Sequence, residues 1–172
     1  MKEPELTQWR NQYRENGYYY RGKLIESFNM IESTLTAYLI SYFLGNPNTP
    51  QANDFRNIIL DRLTFEAKRT ALRAILDKKE NDKGFIKTKN KSYPHGKLLD
   101  EIRLLNDQRN YFAHYQLIIP FHPNDTIVTL AEFRDSLKFV EYDIERYNSI
   151  LLRMSRMTIK LNEMFRLLNK TT

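Results

Sequence analysis

The segment GKLLDEIRLLNDQRNYFAHY, residues 96–115, decides how the chain is read. Leu98, Ile102, Leu105, Arg109 and Phe112 recur at alternating steps of four and three, the period of one helix face packed against its neighbours. At about 100° per residue, Arg109 falls about 20° from Leu98, in the middle of an otherwise apolar stripe. Burying a guanidinium costs several kcal/mol unless it is paired and hydrogen-bonded. The expected partner is Glu32, which falls about 80° from Leu24 on an earlier helix and flanks an apolar face there. A purely structural ion pair would meet the same constraint, as would an arginine whose stem is buried while its head reaches water.

Working outward, the same spacing predicts a helix over Arg21–Leu44, with Leu24, Phe28, Ile31, Leu35, Tyr38 and Tyr42 on its stripe. Residues 1–16 read as an additional N-terminal helix carrying Trp9, interrupted by Gly17; GNPNTP, residues 45–50, ends the main helix. A second main helix is expected over Asp54–Lys79, with Ile58, Ile59, Leu63, Leu72, Ile75 and Leu76 on its apolar side and irregular first turns. The lysine-rich stretch 78–97 then reads as a loop, either a solvated connector or an arm for phosphates, with Lys87, Lys89, Lys91 and Lys97 as candidate RNA contacts. The third main helix covers 96–115. QLIIPFHPNDTIVTL, residues 116–130, reads as two short strands about a Pro-Asn-Asp turn, and Ala131–Asn169 as mostly helix, striped by Ile144, Tyr147, Leu151, Met154, Leu161, Phe165 and Leu168 with Thr158 in one slot. The expected fold is all-α: a single domain over 1–172, an antiparallel bundle of four to five helices with a small β-hairpin between the last two main helices.

The chain has 172 residues, which suits one domain with a single core. It contains no cysteine, which excludes disulfides, thiol nucleophiles and zinc–thiolate sites and suits a reducing cytoplasm, the expected location. The N-terminus has no apolar signal core, and no stretch of about twenty residues is free of charge, so no membrane span is expected. A net charge of +6 with 11 tyrosines and 10 phenylalanines is compatible with a nucleic-acid partner, because cations release counterions and aromatic faces stack bases. No HExxH, glycine-rich phosphate loop or serine elbow is present, and neither a metal nor a cofactor is expected. His95 and His122 stand beside prolines and read as solvated; the tyrosines of YYYRGK, residues 18–23, read as packing.

The chemistry concentrates at the end of the third main helix. Asn110 and His114 are four residues apart, on one helix face beside Arg109. Arginine offers a fixed fork to a phosphate, histidine exchanges a proton near neutral pH, and asparagine adds a neutral donor and acceptor. Phosphodiester cleavage without a metal needs groups of these kinds. Here Arg109-Asn110-Tyr111-Phe112-Ala113-His114 resembles the RNxxxH signature of the HEPN superfamily. That resemblance implies a helical, commonly dimeric protein, either a metal-independent endoribonuclease of toxin–antitoxin, phage-defence or stress-response systems, or a non-catalytic dimerisation module that binds RNA, a nucleotide or a protein. Under the first reading Arg109, Asn110 and His114 are catalytic, with Glu32 and Tyr115 supporting them, and the partners are RNA, a second copy of the chain and an antitoxin or other regulatory protein. HEPN toxins paired with nucleotidyltransferase antitoxins carry a tyrosine two residues after the histidine; here Tyr115 is one residue after and Gln116 stands second.

Overall fold

The computed structural model of the chain describes residues 2–88, 92–123, 125–133 and 137–169. It is mostly helical, with a small antiparallel sheet. In chain order come α1 (Glu3–Leu44), α2 (Pro50–Ile58), a 3-10 turn (Leu60–Arg62), α3 (Phe65–Asp82) and α4 (Gly96–His114); β1 (Gln116–Ile118), β2 (Val128–Glu132), β3 (Lys138–Tyr142) and α5 (Ile144–Asn169) follow. None of the helices among the described residues is long and apolar enough to cross a membrane.

Several expected boundaries move, each for a local reason. Gly17 does not interrupt α1, which is continuous over 42 residues. A Cβ at Gly17 would sit 2.8 Å from Leu117 Cδ2, so the missing side chain serves close packing of β1 rather than a break. Gly45, at φ +74°, supplies the left-handed residue that ends α1. The helix expected from Asp54 is two helices. Thr49 caps α2 through Ala52 N–H with Pro50 in its first turn, and Thr64 caps α3 through Ala67 N–H. Ile58, Ile59 and Leu63 lie at or beyond the end of α2 and are exposed, whereas Leu72 and Ile75 on α3 are buried. The final helix begins only at Ile144. In LKFVEY, Val140 and Tyr142 are buried and alternate with exposed residues, a strand pattern that makes 138–142 the third strand. On α5 the buried residues are Tyr147, Ile150, Met154, Met157 and Leu161, so Ile150 and Met157 take the places expected for Leu151 and Thr158. The expected Pro-Asn-Asp turn includes Asn124, which lies outside the described residues.

The chain groups into two compact units, one formed by the residues up to Asn29 with Leu105–Ser155, the other by Met30–Leu104 with the residues from Arg156 onward. In the first, the three strands pair in chain order, with Gln116 opposite Ala131 and Ala131 opposite Phe139. Its core is aromatic: the Phe112 ring lies 4.7 Å from Tyr142 and 6.1 Å from Tyr147, and Tyr20 meets Tyr147 edge-on at 4.8 Å. The buried tyrosine hydroxyls of this unit find partners. Tyr147 donates to the Tyr20 carbonyl, Tyr142 donates to Gln108 Oε1, and Tyr13 pairs with Thr129.

The second unit contains the buried ends of the α1 and α4 stripes and two buried cations on α3. Glu32 is engaged there by Lys68, Nζ to Oε1 at 2.7 Å, so the carboxylate expected to serve Arg109 has a different cation. Arg69 pairs with Glu66 at 2.5 Å and donates to the Leu99 carbonyl. Stretch 78–97 is a loop only in part, because α3 continues to Asp82: Lys78 pairs with Asp82 and Lys79 donates to the Tyr38 hydroxyl. His95 is not solvated. Its Nε2 lies 2.5 Å from Asp77 Oδ1 and its ring stacks on Tyr93. Lys89 and Lys91 lie outside the described residues.

Replacing Glu32 with alanine strands the Lys68 ammonium, whose side chain is only 5% exposed. The expected loss is about 1–3 kcal/mol, with much of it recovered when Lys68→Met is added. Denaturant titration of the single and double variants checks this. An unchanged midpoint for Glu32→Ala would show that the pair contributes nothing.

Candidate active site

Helix α4 ends at His114, and its final carbonyls need partners from outside the helix. Arg21 on α1 supplies one, its guanidinium donating to the main-chain carbonyl of Tyr115. A cation at a helix C-terminus also opposes the partial negative charge gathered there. Burial pulls the Arg21 guanidinium below its usual pKa. The Tyr115 N–H reaches back to the Tyr111 carbonyl at 3.0 Å, and the Tyr115 hydroxyl donates to Glu132 Oε2 at 2.5 Å. Tyr115 is thus held at both main chain and side chain, and His114 is the residue before it.

These elements enclose a cleft of about 610 Å³. The α4 side is Asp107, Asn110, Tyr111 and His114; Glu132 and Phe133 come from the end of β2 and the residue after it. The imidazole of His114 is exposed, and Asn110 and Tyr115 are half-buried. Arg109 is not part of the cleft wall. It is half-buried and joins the cleft through its neighbour, Nη1 donating to Asn110 Oδ1 at 3.2 Å, while its Nε is enclosed without a hydrogen-bond partner among the described residues. An enclosed guanidinium donor without a partner costs about 1–3 kcal/mol, a condition that the Nε atoms of Arg21 and Arg56 share.

Of the expected site residues, Asn110, His114 and Tyr115 meet at one cleft, with Arg109 bonded to the first of them. Glu32, Lys87 and Lys97 belong to the other compact unit, where Lys87 and Lys97 are exposed and Lys87 stands 5.6 Å over the Tyr93 ring. Sequence reasoning missed Asp107, Glu132 and Arg21. Asp107 was within reach, since it precedes Asn110 by three residues and His114 by seven, on one helical face. Glu132 was not, because strand register brings it to the site: with Gln116 opposite Ala131, the antiparallel register sets Tyr115 opposite Glu132. Arg21 stood in YYYRGK, where only its aromatic neighbours drew a reading. Among the described residues, no group of three or more His, Asp or Glu side chains is placed to hold a metal ion.

A scan against protein-family models finds no match for the chain, and searches of curated proteins and of solved structures also find none.

Removing the clamp at Tyr115 is expected to loosen the end of α4. Arg21→Met deletes a charged hydrogen bond to a carbonyl and should lower the unfolding free energy by about 1.5–3 kcal/mol. Hydrogen exchange should then accelerate at the last turn of α4 before it does elsewhere. Uniform acceleration across the first unit would argue against a local clamp.

Proposed function

We propose that the chain is an endoribonuclease of HEPN type that cleaves RNA without a metal ion. The single observation that carries this reading is the half-buried Arg109 guanidinium, hydrogen-bonded through Nη1 to Asn110, which lines a cleft that presents an exposed histidine. His114 takes the proton from a ribose 2′-hydroxyl. The 2′-oxygen then attacks the adjacent phosphorus and the bond to the 5′-oxygen breaks. Arg109 holds the phosphate and stabilises the charge that develops on it, with Asn110 orienting the group. The leaving 5′-oxygen needs a proton from the opposite side, and the His114 of a second copy would supply it across a two-fold axis. The chain therefore acts as a homodimer with the two clefts facing each other. Tyr115 supports His114 by fixing the residue after it, and Lys87, Lys89, Lys91 and Lys97 add unspecific contacts to phosphates. Glu32, being bound to Lys68, keeps no role at Arg109.

The same reading takes the helices as the antiparallel bundle of a HEPN domain, supported by the alternating spacing of buried residues on α1, α4 and α5. The setting it implies is bacterial toxin–antitoxin, phage-defence or stress response in the cytoplasm, under control of an antitoxin or other regulatory protein. One observation favours the second reading, a non-catalytic HEPN dimerisation module that binds RNA, a nucleotide or a protein. Asp107 and Glu132 line the same cleft, and two carboxylates raise the cost of bringing a phosphate into it.

Cleavage is expected to persist in EDTA and to leave 2′,3′-cyclic phosphate and 5′-hydroxyl ends, because the nucleophile is the ribose 2′-oxygen. End-group analysis of the products checks this. Ends bearing 5′-phosphate, or activity abolished by chelator, would overturn the mechanism.

A further inference from the structure

The Tyr111 ring lines two clefts. One holds His114; the other, of about 510 Å³, takes its remaining walls from Gln108 on α4, from residues 138–141 of β3 and from Arg146 on α5. Its chemistry differs from that of its neighbour. Phe139 stands outward from the strand and is 53% exposed, between the exposed Lys138 and the buried Val140. The Lys138 ammonium lies 5.4 Å over the Tyr111 ring. The Arg146 guanidinium lies 4.6 Å over the Tyr142 ring and is steadied by donating to the Glu141 carbonyl at 2.6 Å. Gln108 accepts from the Tyr142 hydroxyl at 2.9 Å, which occupies its carbonyl oxygen and leaves its amide N–H groups for another acceptor.

A nucleotide asks for three things: a face on which its base can stack, a cation for its phosphate, and polar groups for the base edge. Phe139 offers the first, Lys138 and Arg146 the second, and the Gln108 amide with the Glu141 carboxylate the third. We propose that this second cleft is a subsite for a nucleotide flanking the scissile phosphate in single-stranded RNA, with Tyr111 forming the wall between the two positions. The proposal rests on reading the His114 cleft as the place of RNA cleavage. It selects single strands, because a base can stack on Phe139 only when its own face is bare.

Fluorescence anisotropy with a labelled single-stranded RNA oligonucleotide, in the full chain carrying His114→Ala to prevent turnover, tests it. Adding Phe139→Ala should weaken binding about tenfold and leave the salt dependence unchanged, since stacking releases no counterions. Adding Lys138→Ala should weaken binding and reduce the slope of log affinity against log salt by about 0.7, the share of one phosphate contact on a single strand. Both side chains are exposed, so thermal melts should match the parent. A duplex of the same sequence should bind equally well with and without Phe139. Binding curves unmoved by both substitutions, no binding by the parent chain, or equal loss for the duplex would each overturn the subsite. The two readings fail separately. A wild-type chain that cleaves RNA while Phe139→Ala and Lys138→Ala bind as the parent loses only the subsite. One that never cleaves, yet loses binding on both substitutions, loses the cleavage reading and keeps the second cleft as a nucleotide-binding site with no scissile phosphate beside it.

Discussion

The first unit depends on how Tyr115 is held. Its carbonyl takes the Arg21 guanidinium, its N–H returns to Tyr111 and its hydroxyl donates to Glu132. The residue joins three elements that are distant in sequence: the early part of α1, the end of α4 and the end of β2. Helix α4 stops there because the next residues, Gln116–Ile118, pair with β2 in place of extending the helix. That stop sets the orientation of the last turn, and with it the direction from which His114 meets the cleft. A histidine one residue before a fixed point is positioned more narrowly than one on a fraying helix end, and catalysis by proton transfer depends on such positioning.

Arg109 shows the other side of the same economy. Its stripe neighbours Leu98, Ile102, Leu105 and Phe112 are all buried, and the arginine interrupts them half-buried. An apolar residue would pack there at less cost, so the guanidinium weakens the fold locally while it keeps a charged fork beside the cleft. Its hydrogen bond to Asn110 is weak compensation for the enclosed Nε. A phosphate oxygen is a much stronger acceptor for a guanidinium than a neutral amide, and the charge-assisted bond it would form is about twice as strong.

Much of this was legible in the residues. Apart from Tyr42 and Arg109, which are half-buried, the stripes of α1 and α4 fall on buried positions as their spacing predicts, and Asn110 and His114 share a face of α4 because four residues make about one turn. What could not be read depends on contacts between distant segments. Glu32 was assigned to Arg109 by angle alone, yet angle on one helix says nothing about which cation a neighbouring helix presents, and α3 presents Lys68. Strand β3 was hidden because apolar residues 139, 140 and 142 satisfy a helical window as easily as an alternating one. Glu132 entered the site through strand register and Arg21 through the packing of α1; neither leaves a local signal. Gly17 does not break α1, because a helix accepts a glycine where a neighbouring side chain needs the space.

The central claim is that His114 transfers the proton in RNA cleavage, and incubation of total RNA with wild-type and His114→Ala chains tests it most directly. Because the imidazole is exposed, the substitution should leave the thermal melt unchanged while cleavage falls by at least about a hundredfold, the usual contribution of a general acid or base. RNA cut equally well by both chains, at equal stability, would contradict the account.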